Sequence, residues 1–208
     1  IHKEKLPDDF YMIGGLRVDP KYRETGIGKA LLNEILNSIR NNSRGARLSI
    51  YSWNKPSMNL ALTGGFKRID EYRIIADSHY SMDNSFRSKI QGNLITESKY
   101  FGNFKCHFVD WKYVCMNIDD IGKYYIDAEI IIPDENTIIN IMKSDDETEI
   151  VVNDAADLSR IIKAPSDRDD GTIFYIRNKI IKRSKGPVID DSDPIYLNIY
   201  EIRFFDGI

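Results

Sequence analysis

Residues 16–32 read Leu-Arg-Val-Asp-Pro-Lys-Tyr-Arg-Glu-Thr-Gly-Ile-Gly-Lys-Ala-Leu-Leu, and the turn at their centre decides the fold. Upstream, residues 10–18 (FYMIGGLRV) are aromatic and aliphatic and stop at Asp19-Pro20, as a strand does. Downstream, residues 29–42 (KALLNEILNSIRNN) put Leu31, Leu32, Ile35, Leu36 and Ile39 on one face at helical spacing, with Gly45 as the stop. Residues 46–52 (ARLSIYS) alternate as a second strand. Strand, helix and strand in that order make a right-handed parallel crossover. Residues 56–66 (PSMNLALTGGF) then read as a helix, with Pro56 in its first turn and Gly64-Gly65 at its end.

The chemistry of this unit lies where the first strand enters its helix. Gly26 and Gly28 have no Cβ, so a ligand can approach their backbone closely. The leading amides of a helix lack internal partners and carry partial positive charge. Arg23-Glu24-Thr25-Gly26-Ile27-Gly28-Lys29 can thus cradle a pyrophosphate, with Arg23 and Lys29 supplying formal charge. A bare G-x-G has a plainer reading, a tight entry turn with no ligand.

The surrounding residues resemble the acetyl-CoA motif of the GNAT N-acetyltransferase superfamily. Val18, Pro20, Arg23, Gly26 and Gly28 stand in the order of its first motif, and Asn54, Ser57, Leu60, Gly65 and Phe66 in that of its second. The resemblance covers residues 10–73. It implies an α/β (α+β) fold, a GNAT-like mixed sheet whose two parallel strands splay apart to admit pantetheine. It also implies that backbone groups of Leu16 and Val18 pair with pantetheine and that the amides from Glu24 through Thr25, Gly26, Ile27 and Gly28 to Lys29 take the pyrophosphate. Asn54, with Ser57 beside it, would hold the cofactor from the second strand. An amine would attack the thioester directly, and a strand amide near Val18 would stabilise the oxyanion.

Three departures from the family pattern bear on chemistry. The position of the family's usual tyrosine, which serves the leaving thiolate, is Ala61; Tyr51 is the nearest hydroxyl in sequence, against a plainer reading as a strand aromatic. No carboxylate lies within residues 10–18, where a general base often stands. Asp8 and Asp9 flank that stretch and read best as a solvated turn. Finally, residues 1–9 alone precede the first strand, whereas the family places further strands and helices there. A fragment of a longer protein, or other segments completing the sheet, are the two explanations. In either case an open sheet edge is expected to be covered by a partner chain or by the C-terminal half.

The whole chain has 208 residues, 42% hydrophobic and 29% charged, values of an ordinary globular protein. Residues 1–100 hold 16 Lys/Arg against 11 Asp/Glu; residues 101–208 hold 13 against 21. A basic first half suits a polyanionic small molecule. Basic residues are not clustered with aromatics, which argues against nucleic acid. No apolar run reaches the roughly 20 residues of a membrane helix. The polar start and two cysteines, too few for a disulfide framework, point to the cytoplasm.

Composition divides the chain into residues 1–75, a connecting segment 76–103 with a short helix over 81–91, and a C-terminal α+β domain, 104–208, with no recognisable family. In that domain residues 104–116 read as one long strand, residues 124–133 as another ended by Pro133, and residues 148–153 as a third. Residues 154–163 read as a helix capped by Asp154, residues 172–184 as a hairpin or one strand, and residues 194–205 as a closing strand. Cys106-His107 invites a metal, but adjacent strand residues face opposite ways, so a buried thiol and an ordinary histidine are expected and no metal site is assigned. The acidic runs at 145–147 and 167–171 read as solvated turns.

The leading expectation is an acetyl-CoA-dependent transferase acting on a primary amine of a small molecule or protein, with its catalytic residues undetermined. The alternative is a GNAT-like module that binds acetyl-CoA as a sensor or scaffold. A homodimer is compatible with either.

Overall fold

The computed structural model describes residues 1–75, 81–82, 106–109, 111–115, 129–134, 137–143, 148–155, 157–163, 172–181 and 194–204. Two compact units emerge. Unit 1 holds Ile1–Glu71, Lys112–Val114 and the chain from Leu197; unit 2 holds the described residues of 72–111 and 115–196.

In unit 1 the strands are β1 (His2–Lys5), β2 (Phe10–Gly14), β3 (Gly45–Tyr51), the start of β4 (Lys67–Ile75), β7 (Lys112–Val114) and β13 (Ile195–Arg203). Sheet order is β1-β2-β3-β13-β4. β1 is antiparallel to β2, β2 parallel to β3, and β13 antiparallel to β3. The mixed α+β fold expected from the sequence is the fold observed. Residues 2–5, read as a lead-in, are in fact a strand. The closing strand, assigned by composition to the C-terminal segment, pairs with β3 from Leu197↔Tyr51 to Arg203↔Gly45.

Two helices cover one face of this sheet. α1 (Ile27–Ile39) buries Leu32, Leu36 and Ile39, and α2 (Lys55–Thr63) buries Ala61. With Ile13, Ala46, Ile50, Phe66 and Tyr200 they form the core of the unit. Each large aliphatic side chain there stabilises by about 1.5–3 kcal/mol on burial. Leu31, expected on the buried face, is exposed, while Ile35 packs at the core margin. Gly45 does not stop the helix, which closes at Arg40. It opens β3, where a Cβ would meet the Ile202 carbonyl oxygen at 2.0 Å. The glycine is needed for strand approach.

The opposite face carries an ion cluster. Arg47 on β3 is 1% exposed; it donates to Asp8 Oδ2, to Glu201 Oε2 (2.9 Å) and to the Tyr113 carbonyl (2.7 Å), and lies over the Phe10 ring at 3.9 Å. Asp8 is therefore no solvated turn residue: its side chain is 4% exposed and its charge answers Arg47. Asp9, beside it, has φ 65° and pairs with Lys5.

Unit 2 has a sheet of order β4-β12-β10-β9-β8, formed by the end of β4 with β12 (Thr172–Arg177), β10 (Thr148–Asp154), β9 (Thr137–Lys143) and β8 (Glu129–Asp134). β10 and β12 are parallel and the other pairs antiparallel. Pro133 lies inside β8 rather than ending it. Residues expected as one strand divide into β6 (His107–Val109) and β7, with a turn at Trp111 (φ 60°). The helix expected over 154–163 is a 3-10 turn, Leu158–Arg160, capped by Asp157. Leu158, Ile161 and Ile162 are all buried in the unit's core. β11 (Ile162–Lys163) pairs with β5 (Ser81–Met82). Of residues 172–184, the described part is β12 followed by a short helix, α3 (Asn178–Ile181). Cys106 and Cys115 form a disulfide, which corrects the expectation of free buried thiols. The rest of the helix expected over 81–91 and both acidic runs lie outside the described residues.

Candidate active site

β2 and β3 pair only from Phe10↔Gly45 to Met12↔Arg47. Past Met12 the two strands part. Gly14 is the last strand residue, and Gly15 takes φ 62°, a left-handed conformation that costs glycine little. The opening is a cavity of about 190 Å³. Ile13 to Arg17 line one side, Leu48 to Tyr51 the other, and Leu32, Asn54, Ser57, Leu60 and Ala61 its helical wall. A slot between two parallel strands exposes backbone groups that would otherwise bond each other, so an extended amide-bearing chain can take their place.

Above the slot stands the start of α1. Gly26 is the residue before the helix, at φ 87°, and no side chain caps it. The first intrahelical bond is from the Ala30 amide to the Gly26 carbonyl (3.0 Å), so the amides of Ile27, Gly28 and Lys29 lead the helix. No acidic residue lies in the first turn, and Lys29 does. This combination concentrates positive potential at one helix end. A Cβ on Gly26 would meet nothing within 4 Å, whereas one on Gly28 would make ordinary contacts with Leu60, Val18 and Leu16.

The loop is braced from within. Asp19 caps the turn Pro20–Tyr22 by accepting from the Lys21 amide (3.0 Å). Arg23 Nε donates to the Val18 carbonyl (3.2 Å), and Thr25 Oγ1 donates to the Tyr22 carbonyl (2.6 Å). Arg23, Glu24 (φ 62°), Thr25 and Lys29 are all exposed. Asn54 caps α2, its Oδ1 accepting from the Ser57 amide at 3.3 Å.

Of the sequence-derived site residues, Leu16, Asn54 and Ser57 line the cavity, and Gly26, Ile27, Gly28 and Lys29 sit at the helix entrance. Val18 is not in the lining, and its carbonyl already receives Arg23. Tyr51 does line the cavity, stacked on Trp53 at 5.5 Å. Ala61 is 1% exposed. Gly14, Gly15 and Ser49 line the cavity as well; the Gly14-Gly15 pair inside an apolar strand is the sequence signal for the first two, and Ser49 has none. Among the described residues no group of three or more His, Cys, Asp or Glu is placed to hold a metal ion.

Residues 3–66 match the Acetyltransferase (GNAT) family. A Thermoplasma acidophilum protein classed as an acetyltransferase is similar over 97% of this chain and 72% of its own, with 27% identity and a TM-score of 0.70. A Pyrococcus horikoshii protein so classed (11% identity, TM-score 0.44) is matched over 94% of this chain and 66% of its own. A GCN5-related N-acetyltransferase from Kribbella flavida (10%, 0.41) is matched over 94% and 53%. No curated protein matches the chain.

Proposed function

We propose that the GNAT acetyltransferase segment, residues 3–66, works here as an acetyl-CoA-dependent N-acetyltransferase whose acceptor is a primary amine on a small molecule or protein. One observation carries this: the slot where β2 and β3 part opens beside an uncapped helix start. A donor with a diphosphate at one end and an extended amide chain at the other fits both features at once. The amides of Ile27 to Lys29 would bind the diphosphate, and the edges of Gly15–Arg17 and Leu48–Tyr51 would take the chain.

In the reaction the amine lone pair attacks the thioester carbonyl carbon. A carbon–nitrogen bond forms, the carbon–sulfur bond breaks, and coenzyme A leaves as a thiolate. A thiol with an ordinary pKa near 8.5 leaves without strong assistance, so Ala61 in place of tyrosine slows turnover without abolishing it. Tyr51, which lines the cavity with Ser49 and Ser57, is the hydroxyl we assign to serve the sulfur.

The second reading, an acetyl-CoA sensor or scaffold, is favoured by the burial of Ala61 at the position of the family tyrosine. Thiol release from acetyl-CoA with a panel of primary amines separates the two. Amine-dependent release supports the transferase; tight acetyl-CoA binding without release supports the sensor. No helix among the described residues is long and apolar enough to cross a membrane. We place the protein in the cytoplasm; the Cys106–Cys115 disulfide is the observation against that compartment.

A further inference from the structure

The two faces of the unit 1 sheet differ in what they offer a reaction. In the β1–β2 register Lys3 opposes Ile13 and His2 opposes Gly14. Lys3 Nζ reaches Ser38 of α1 at 2.7 Å, and Ile13 belongs to the core under α1. Alternation then turns His2 and Gly14 to the face away from the helices, the face of Arg47. By the same alternation Ser49 and Tyr51 stand on that face, on the other lip of the slot.

His2 is held there by the absence of two side chains. A Cβ on Gly14 would lie 2.8 Å from His2 Cε1 and 3.0 Å from Nε2; a Cβ on Gly15 would lie 3.0 Å from Nδ1. The imidazole therefore lies across the Gly14-Gly15 dipeptide, which itself lines the cavity. The side chain is exposed, open to an incoming acceptor.

Among the described residues, Glu4, Asp8, Glu201 and Asp70 on this face each hold a partner. Glu4 Oε1 is 3.0 Å from Lys112 Nζ; Asp8 and Glu201 hold Arg47; Asp70 accepts from the Tyr113 hydroxyl at 2.8 Å. A diphosphate bound at the start of α1 would lie on the helix face, so a donor threaded through the slot would present its thioester toward the other face, where the His2 imidazole crosses Gly14-Gly15.

We propose that His2 is the proton acceptor of the transfer reaction, taking the proton of the attacking amine at the mouth of the β2–β3 slot. As the nitrogen–carbon bond forms and the carbon–sulfur bond breaks, the amine proton passes to an imidazole nitrogen, directly or through one water. The departing thiolate or solvent then receives it. Histidine is the side chain that most often serves as a positioned proton acceptor. This assignment rests on the acetyltransferase reading and supplies the base that residues 10–18 lack.

The test uses the full chain with His2→Gln and His2→Ala, acetyl-CoA as donor, and benzylamine and a lysine-containing peptide as acceptors. The expected result is a fall in kcat of about 10²-fold or more in both variants. Acetyl-CoA should bind them as it binds the wild type, by calorimetry. Added imidazole should restore turnover to His2→Ala and leave the wild type unchanged, which a structural role for His2 would not produce. A second readout needs no acceptor: the imidazole proton signal absent from the His2→Gln spectrum should move when acetyl-CoA is added to the wild type. Equal turnover by wild type and variants, or a His2 signal indifferent to acetyl-CoA, overturns the assignment while leaving the acetyltransferase reading intact. A wild type that binds acetyl-CoA but acetylates neither amine overturns both.

Discussion

Arg47 and Glu201 lie 154 residues apart in the chain, yet the guanidinium Nε is 2.9 Å from the carboxylate Oε2 with both side chains buried. Asp8 adds a second carboxylate, and Arg203, whose Nε donates to Glu201 Oε1 at 2.7 Å, brings the cluster to two charges of each sign. The cluster joins the entry to β2, the middle of β3 and the end of β13. It thus fixes the paired half of the β2–β3 ladder, beyond which the slot opens. Removing one member leaves buried charge without its counter-ion. Arg47→Met alone should cost about 3–5 kcal/mol in urea unfolding. The triple variant Arg47→Met, Asp8→Asn, Glu201→Gln should recover a large part of that loss. A triple variant no more stable than Arg47→Met would show that packing against Phe10, not charge, dominates at this site.

Gly45 gives a sharper steric test. Because a Cβ there meets the Ile202 carbonyl oxygen at 2.0 Å, Gly45→Ala must push β13 away from β3. A loss of about 1–3 kcal/mol is expected, and more if the ladder cannot shift. Denaturant titration reads it directly, and an unchanged midpoint would contradict the observed register.

At the helix entrance the two glycines should behave differently. A methyl group at Gly28 makes only ordinary contacts, and alanine is the better helix former by about 1 kcal/mol. Gly28→Ala should therefore keep or raise stability. Gly26, at φ 87°, should lose about 1 kcal/mol as alanine through backbone strain alone, since nothing lies within 4 Å of the added atom. Thermal unfolding of the pair checks the order; destabilisation by Gly28→Ala beyond that of Gly26→Ala would reverse it.

Tyr200 carries the clearest pH dependence. Its burial raises the phenol above the ordinary value near 10, opposed by Arg68 and aided by Glu71. The unfolded tyrosine ionises first, so from about pH 10 upward the native state binds more protons. The stabilisation present below that pH is lost as pH rises toward the raised pKa. Tyr200→Phe removes this slope. Urea midpoints at about pH 9 and about pH 11 should fall further for the wild type than for the variant. Parallel falls would place the alkaline sensitivity elsewhere.

What was legible in the sequence was local. Val18 to Leu32 announce a glycine turn and a helix through nearest-neighbour chemistry, and both are found there, whereas the strand expected to run to Val18 already ends at Gly14. The slot between β2 and β3 was legible only through family resemblance, because strand splaying depends on which residues stop pairing. His2 was illegible, since its meaning comes from standing opposite Gly14 in a neighbouring strand. Asp8 misled for the same reason: two acids before a strand look solvated until Arg47, 39 residues on, arrives beneath them. Residues 194–205 read correctly as a strand, but their place beside β3 follows from long-range pairing that alternation cannot encode. In unit 2, a single 3-10 turn in place of the helix expected over 154–163 suffices to bring Leu158, Ile161 and Ile162 into the core.

The central claim, that the slot and helix start form an acetyl-CoA site, is most directly tested by calorimetric titration of acetyl-CoA into the wild type and Gly26→Asp. Aspartate tolerates the left-handed backbone at this position better than most residues, and its side chain enters open space, so the fold should persist. Its carboxylate would stand where the diphosphate must bind. Micromolar binding by the wild type, with at least about tenfold weaker binding by the variant (about 1.4 kcal/mol), is the predicted result. Equal binding by the two proteins, or none by a folded wild type, would contradict the claim and leave the open strands and uncapped helix without this ligand.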